Sequence, residues 1–105
     1  MQAVPAALEH FPIVRRIVRD TIEAVYPGYY PAGAVEFFLN HHSDDAILAA
    51  ISRGEVYLFW DCGGYVATGS VAGCELSRLF VLPEHQGKGY GGRAMDFLEQ
   101  MAFES

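Results

Sequence analysis

The segment Leu79-Phe80-Val81-Leu82-Pro83-Glu84-His85-Gln86-Gly87-Lys88-Gly89-Tyr90-Gly91-Gly92 constrains the fold more than any other part of the chain. Four consecutive apolar residues suit a buried strand, and Pro83 ends it because proline lacks the N–H that a ladder needs. Glycines follow at 87, 89, 91 and 92, and then Ala94, Phe97, Leu98, Met101 and Ala102 recur at helical spacing. A strand that runs through such a loop into a helix aims main-chain N–H groups and the positive end of the helix dipole at one point. Without a Cβ, glycine lets an anion approach that backbone closely. The expected ligand is a phosphate group.

The rest of the chain supplies the frame for this corner. From Leu8 to Val25, Phe11, Val14, Ile17, Val18, Ile22 and Val25 form an apolar stripe opposite Arg15, Arg16, Arg19, Asp20 and Glu23, which predicts an amphipathic helix. Tyr26-Pro27-Gly28 stops it. A short second helix is expected over Ala34 to Asn40, then a third from the cap Ser43, with Asp44 and Asp45 in its first turn, to about Arg53. Gly54 ends that helix. Strands follow at Glu55–Trp60, Tyr65–Val71 and Glu75–Leu82, joined by turns at Gly63-Gly64 and Gly73, and these read as an antiparallel meander. Met1 to Val4 adds a candidate edge strand. The pattern is α+β, helices packed on a sheet, and its 105 residues form one domain over 1–105.

Charge and composition narrow the function. Hydrophobic residues make up 51% and charged residues 19%, a composition that packs a core. Seven Lys and Arg against 13 Asp and Glu leave a net charge of −6. That balance argues against nucleic acid, since nothing neutralises a run of phosphates, and it leans toward a cationic acceptor. No apolar run reaches the roughly 20 residues that span a bilayer, and no secretory signal is visible, so a cytoplasmic protein is expected. Cys62 and Cys74 are then expected to be reduced.

Three phosphate-loop patterns compete for the glycine segment. The P-loop needs Ser or Thr after its lysine, but Gly89 follows Lys88. A dinucleotide fingerprint matches literally at Gly87, Gly89 and Gly92, yet the acidic residue about 20 positions on is missing from the sequence. The third fits. Gln86-Gly87-Lys88-Gly89-Tyr90-Gly91, led in by Val81-Leu82-Pro83, resembles the Gln/Arg-x-x-Gly-x-Gly/Ala signature of the GNAT family of N-acetyltransferases. The resemblance extends back through the meander and the N-terminal helices. A plain glycine-rich corner is the rival explanation, and four glycines with a lysine exceed what such a corner needs.

This resemblance implies a GNAT-like acyl-CoA N-acyltransferase fold and an acetyl-CoA-dependent transfer to a primary amine, on a small molecule or a peptide. Backbone amides of Gly87, Lys88, Gly89, Tyr90, Gly91 and Gly92, with Gln86, are then expected to hold the pyrophosphate of acetyl-CoA. Leu79, Phe80 and Val81 offer strand-edge groups to the pantetheine arm, and an amide near Val81 stabilises the oxyanion. Glu75, eleven positions before Gln86, stands where family members of the histone type carry the general base. Regular alternation puts Glu75, Ser77, Leu79 and Val81 on one face and Leu76, Arg78, Phe80 and Leu82 on the other, which would partly desolvate that carboxylate. A solvated glutamate at a strand start is the equal alternative.

Tyr29 and Tyr30 fall in the region that lines the acceptor pocket in the family, although core and lid roles explain them as well. The sequence ends where the family continues into further strands and an acid tyrosine, for which Tyr90 is a poor substitute. A truncated domain is therefore expected, one that works as a homodimer, is completed by another chain, or binds CoA without turnover. No metal is expected: His41 and His42 are adjacent, so they point to different sides, and Asp44 and Asp45 belong to a helix start. Arg78 is expected to pair with a nearby carboxylate, and Trp60 to pack.

Overall fold

A computed structural model describes residues 1–104. The order is β1 (Gln2–Pro5), α1 (Phe11–Val25), α2 (Ala32–His41), α3 (Asp44–Ser52), β2 (Val56–Asp61), β3 (Gly64–Ala72), β4 (Glu75–Val81) and α4 (Tyr90–Glu104). Four strands form one antiparallel sheet in the order β1-β2-β3-β4, which leaves β1 and β4 at its edges. The candidate strand at the N-terminus is real: Gln2 to Pro5 pair with Trp60 to Tyr57.

Two apolar clusters sandwich the sheet. Val14, Ile17, Val18 and Ile22 of α1 and Ile47, Ala50 and Ile51 of α3 meet Val56, Leu58, Phe80 and Leu82 on one face. Val35, Phe38 and Leu39 of α2 pack at the margin of this cluster. On the other face Tyr90, Ala94 and Leu98 of α4 cover Phe59, Val66 and Ala67. Each fully buried Leu, Ile or Val of these stripes contributes about 1.5–3 kcal/mol, so the same periodicity that predicts the helices also docks them. Ser43 caps α3 as expected, its Oγ accepting from the Ala46 N–H at 3.3 Å.

Close approach of α4 depends on Gly69. A Cβ built there would lie 2.6 Å from Leu98 Cδ1, and Leu98 is fully buried. The β2–β3 turn sits one residue earlier than predicted. Cys62 and Gly63, at φ +50° and +83°, form its two central positions, and Gly64 already pairs with Asp61. A two-residue hairpin with both centres left-handed matches the strand twist, which is the physical reason for the shift.

The consequential departure is in β4. Thr68 pairs with Phe80 but Ser70 pairs with Ser77, so Arg78 and Leu79 together oppose Gly69. This is a β-bulge, and Arg78 takes the left-handed conformation at φ +52°. The extra residue inverts the alternation predicted along the strand. Leu76, not Glu75, shares the α4 face with Leu79 and Val81. Glu75 and Ser77 lie on the other face, with Phe80 and Leu82.

Candidate functional site

A cleft of about 380 Å³ opens where the C-terminal half of α1, the end of β4 and the glycine loop meet. Thr21, Val25 and Tyr26 form one wall, Leu79, Phe80 and Val81 the second, and His85, Gln86, Gly87, Gly89, Tyr90 and Gly91 the third.

The loop is built to expose its backbone. A short turn at Pro83–His85 uses the N–H groups of His85 and Gln86, which bond to Leu82 and Pro83 carbonyls at 2.9 and 3.3 Å. The next N–H used internally is that of Arg93, which donates to Gly89 at 3.2 Å. Between them, the N–H groups of Gly87, Lys88, Gly89, Tyr90, Gly91 and Gly92 have no partner among the described residues. Those from Gly89 to Gly92 lie at the start of α4, where the first turn of any helix leaves donors free and the dipole is positive. Gly87 and Gly89 stand at φ +80° and +84°, so glycine is required there by conformation. Near Gly91 the nearest group to an added Cβ is Val81 Cγ2 at an ordinary 3.8 Å, and Gly92 faces open space.

Val81 organises the wall opposite. Its carbonyl accepts from Thr21 Oγ1 at 3.3 Å and from Gln86 Nε2 at 3.0 Å, which locks α1, β4 and the loop together. Both donors come from outside the sheet, whereas the N–H of Leu82 donates inward to Val66 at 2.9 Å. In an antiparallel strand the N–H and C=O of one residue point to the same side. The Val81 N–H therefore faces the open edge of β4, toward the cleft.

Of the residues expected at the site, Leu79, Phe80, Val81, Gln86, Gly87, Gly89, Tyr90 and Gly91 are brought together. The Phe80 side chain is buried in the α1–α3 cluster, so that residue offers mainly backbone. The Tyr90 ring is buried beneath α4, and a hydrogen bond to Asp61 pushes its hydroxyl up to about 12. Lys88 and Gly92 are exposed and outside the cleft lining. Glu75 is exposed at the far end of β4, so the burial expected of it is absent. Tyr29 is 80% exposed, while Tyr30 packs tilted against Tyr26 and edge-on against Phe38, with ring centroids at 5.3 and 5.2 Å.

Four cleft residues escape the sequence reading: Thr21, Val25, Tyr26 and His85. Thr21 had a visible signal, since it is the one hydroxyl in the buried stripe of α1. Tyr26 is held above the usual phenol range by burial first and by Tyr30 second. The Nδ1 of His85 is buried without a hydrogen-bond partner among the described residues. Arg78 also departs from expectation, for it makes no ion pair with any described carboxylate. Cys62 and Cys74 are free and exposed. Among the described residues no group of His, Cys, Asp and Glu could hold a metal ion, and no helix is long and apolar enough to cross a membrane.

The fold has solved counterparts. A GCN5-related N-acetyltransferase from Rhodopseudomonas palustris superposes with a TM-score of 0.84 at 24% identity, over 98% of this chain and 66% of that one. The PaiA N-acetyltransferase from Thermoplasma acidophilum, solved in complex with coenzyme A, gives 0.76 at 17% identity over 98% and 72%. A GCN5-related N-acetyltransferase from Ralstonia eutropha gives 0.65 at 15% identity over 98% and 76%. These likenesses define an acyl-CoA N-acyltransferase fold, of which the chain spans about two thirds. No curated protein matches the sequence. The family model for the acetyltransferase (GNAT) family matches residues 15–105, so the chain belongs to that family.

Proposed function

We propose that this chain binds acetyl-CoA in the cleft and transfers the acetyl group to a primary amine by direct attack. The observation that carries this reading is the row of unclaimed N–H donors from Gly87 to Gly92 beside the cleft. A pyrophosphate suits that row, because converging N–H groups and a helix start favour negative charge without a paired side chain. Gln86, held on the Val81 carbonyl, fixes the loop, and Lys88 adds a mobile positive charge at the rim. The pantetheine arm lies along Leu79 to Val81, and the outward Val81 N–H donates to the thioester oxygen as charge develops there.

In this reading the amine forms a C–N bond to the acetyl carbon as the C–S bond breaks. The amine loses a proton to water or to Glu75, which is exposed at the start of β4. The leaving thiol needs no residue to protonate it, since a thiol with a pKa near about 8.5 departs as the thiolate. Tyr90 is ill suited as that acid, since Asp61 pushes its hydroxyl up to about 12. Tyr29 and Tyr30, on the turn after α1, form the rim on the acceptor side.

Release of thiol from acetyl-CoA with a panel of primary amines tests the transfer. An amine-dependent release that Glu75→Gln slows, with a shifted pH profile, supports it; an unchanged profile removes Glu75 from the base role. The open edge of β4 favours a second reading, a CoA-binding unit without turnover that pairs its sheet with another copy or another chain. Binding of CoA with no release for any amine selects that reading.

A further inference from the structure

On the sheet face opposite α4, three buried polar atoms have no hydrogen-bond partner among the described residues: Arg78 Nε, His42 Nδ1 and Ser70 Oγ. They belong to one neighbourhood. Ser70 pairs across the sheet with Ser77, next to Arg78, and the charge of Arg78 bears directly on His42. The imidazole of His42 packs edge-on against Phe80, with ring centroids 5.3 Å apart. Buried polar atoms without a partner are rare because each forfeits its hydration, and these three share one face of the sheet. The bulge bears on this: Arg78 is a non-glycine residue held at φ +52°, a strained conformation, and its charge is felt by His42, which follows α2.

We propose that Arg78, His42 and Ser70 form a pocket for a carboxylate carried by the acceptor, so that the amine acetylated by this chain belongs to an amino acid. The inference rests on the transfer reading above and names the class of its acceptor. Arg Nε–H, Ser Oγ–H and a neutral imidazole N–H are three donors, and a carboxylate has the lone pairs to take all three. The charges also match. Burial first, then Arg78 and His41, lower the His42 pKa to about 4, so the imidazole is neutral near pH 7 and the pocket carries the single positive charge of Arg78. One carboxylate balances that charge; a phosphate dianion does not. The pocket adjoins the transfer cleft, because Phe80 touches His42 on one side and Tyr26, a cleft residue, on the other.

Side-chain and main-chain amide spectra of the full chain, labelled with nitrogen-15, test this with β-alanine against ethylamine and glycine against methylamine. The expected result is a saturable shift of the Arg78 Nε–H with the amino acids and none with the plain amines at equal ionic strength. Arg78→Asn keeps a residue that tolerates the left-handed backbone, and about tenfold or weaker binding is expected of it. Ser70→Ala, a small change inside the sheet, is expected to weaken binding several-fold and serves if the first variant does not fold. Absence of a saturable shift at Arg78, or wild-type affinity in the folded variants, overturns the proposal. CoA added to the same sample reports separately through the amides of Gly87 to Gly92. Movement there with a silent Arg78 refutes the carboxylate pocket alone, and the converse refutes the CoA site alone.

Discussion

Gly87 and Gly89 are held by backbone conformation, while Gly91 and Gly92 have room for a side chain. Their substitutions should therefore separate. Gly89→Ala is expected to destabilise by about 1–2 kcal/mol, the strain of a left-handed non-glycine residue. Gly91→Ala should be close to neutral or slightly stabilising. Urea melts of the two variants check this, and equal losses would refute it. His42 supplies a pH signature at the same scale. With its folded pKa near 4 and its unfolded value near 6.5, the unfolded chain binds the proton first. The neutral imidazole therefore adds stability that is present above about pH 6.5 and lost as pH falls toward 4. Between those values, stability should fall less steeply in His42→Gln than in wild type; parallel curves contradict the burial of His42. Neither site was fully legible in sequence. The glycine spacing announces the loop, but which glycines obey conformation depends on φ, and in sequence Arg78 reads as an ordinary member of an alternating strand.

At the scale of elements, the helices were legible because their apolar stripes are also their docking faces: Val14, Ile17, Val18 and Ile22 are buried as the 3.6-residue period requires. Strand limits fell within a residue or two for the same reason. The bulge in β4 was not legible, since strict alternation assumes one residue opposite each partner and nothing in Ser77-Arg78-Leu79 marks an insertion. Its consequence reaches the site: Glu75 moves to the opposite face from Leu79 and Val81, and Arg78 is half-buried with its charge bearing on His42. Gly69, opposite the bulge, lets α4 settle onto the sheet. Gly69→Ala should cost roughly 1–3 kcal/mol by overpacking against Leu98. In a Leu98→Ala background, itself about 2–5 kcal/mol less stable, the added methyl should be tolerated or helpful. A double-mutant cycle by chemical denaturation measures this coupling, and additive losses would show that α4 does not rest on Gly69.

For the whole molecule, β1 and β4 are the edge strands of the sheet among the described residues, and the end of β4 lies beside the cleft. Pairing through that edge should raise the weight-average mass in light scattering as concentration increases; a monomer at every concentration argues for a self-sufficient unit. The net charge of −6 bears on a different question, since it disfavours anions at long range. Any phosphate or carboxylate would therefore have to be captured locally, in the two proposals above by backbone donors at one site and by Arg78 at the other. Isothermal titration of the chain with acetyl-CoA reaches the first of these directly. Saturable one-site heat is predicted for wild type, with none for Gly89→Asp, whose side chain brings negative charge to the start of α4. Absence of saturable heat for both acetyl-CoA and CoA, or undiminished binding by Gly89→Asp, would show that the free amides between Gly87 and Gly92 hold no diphosphate.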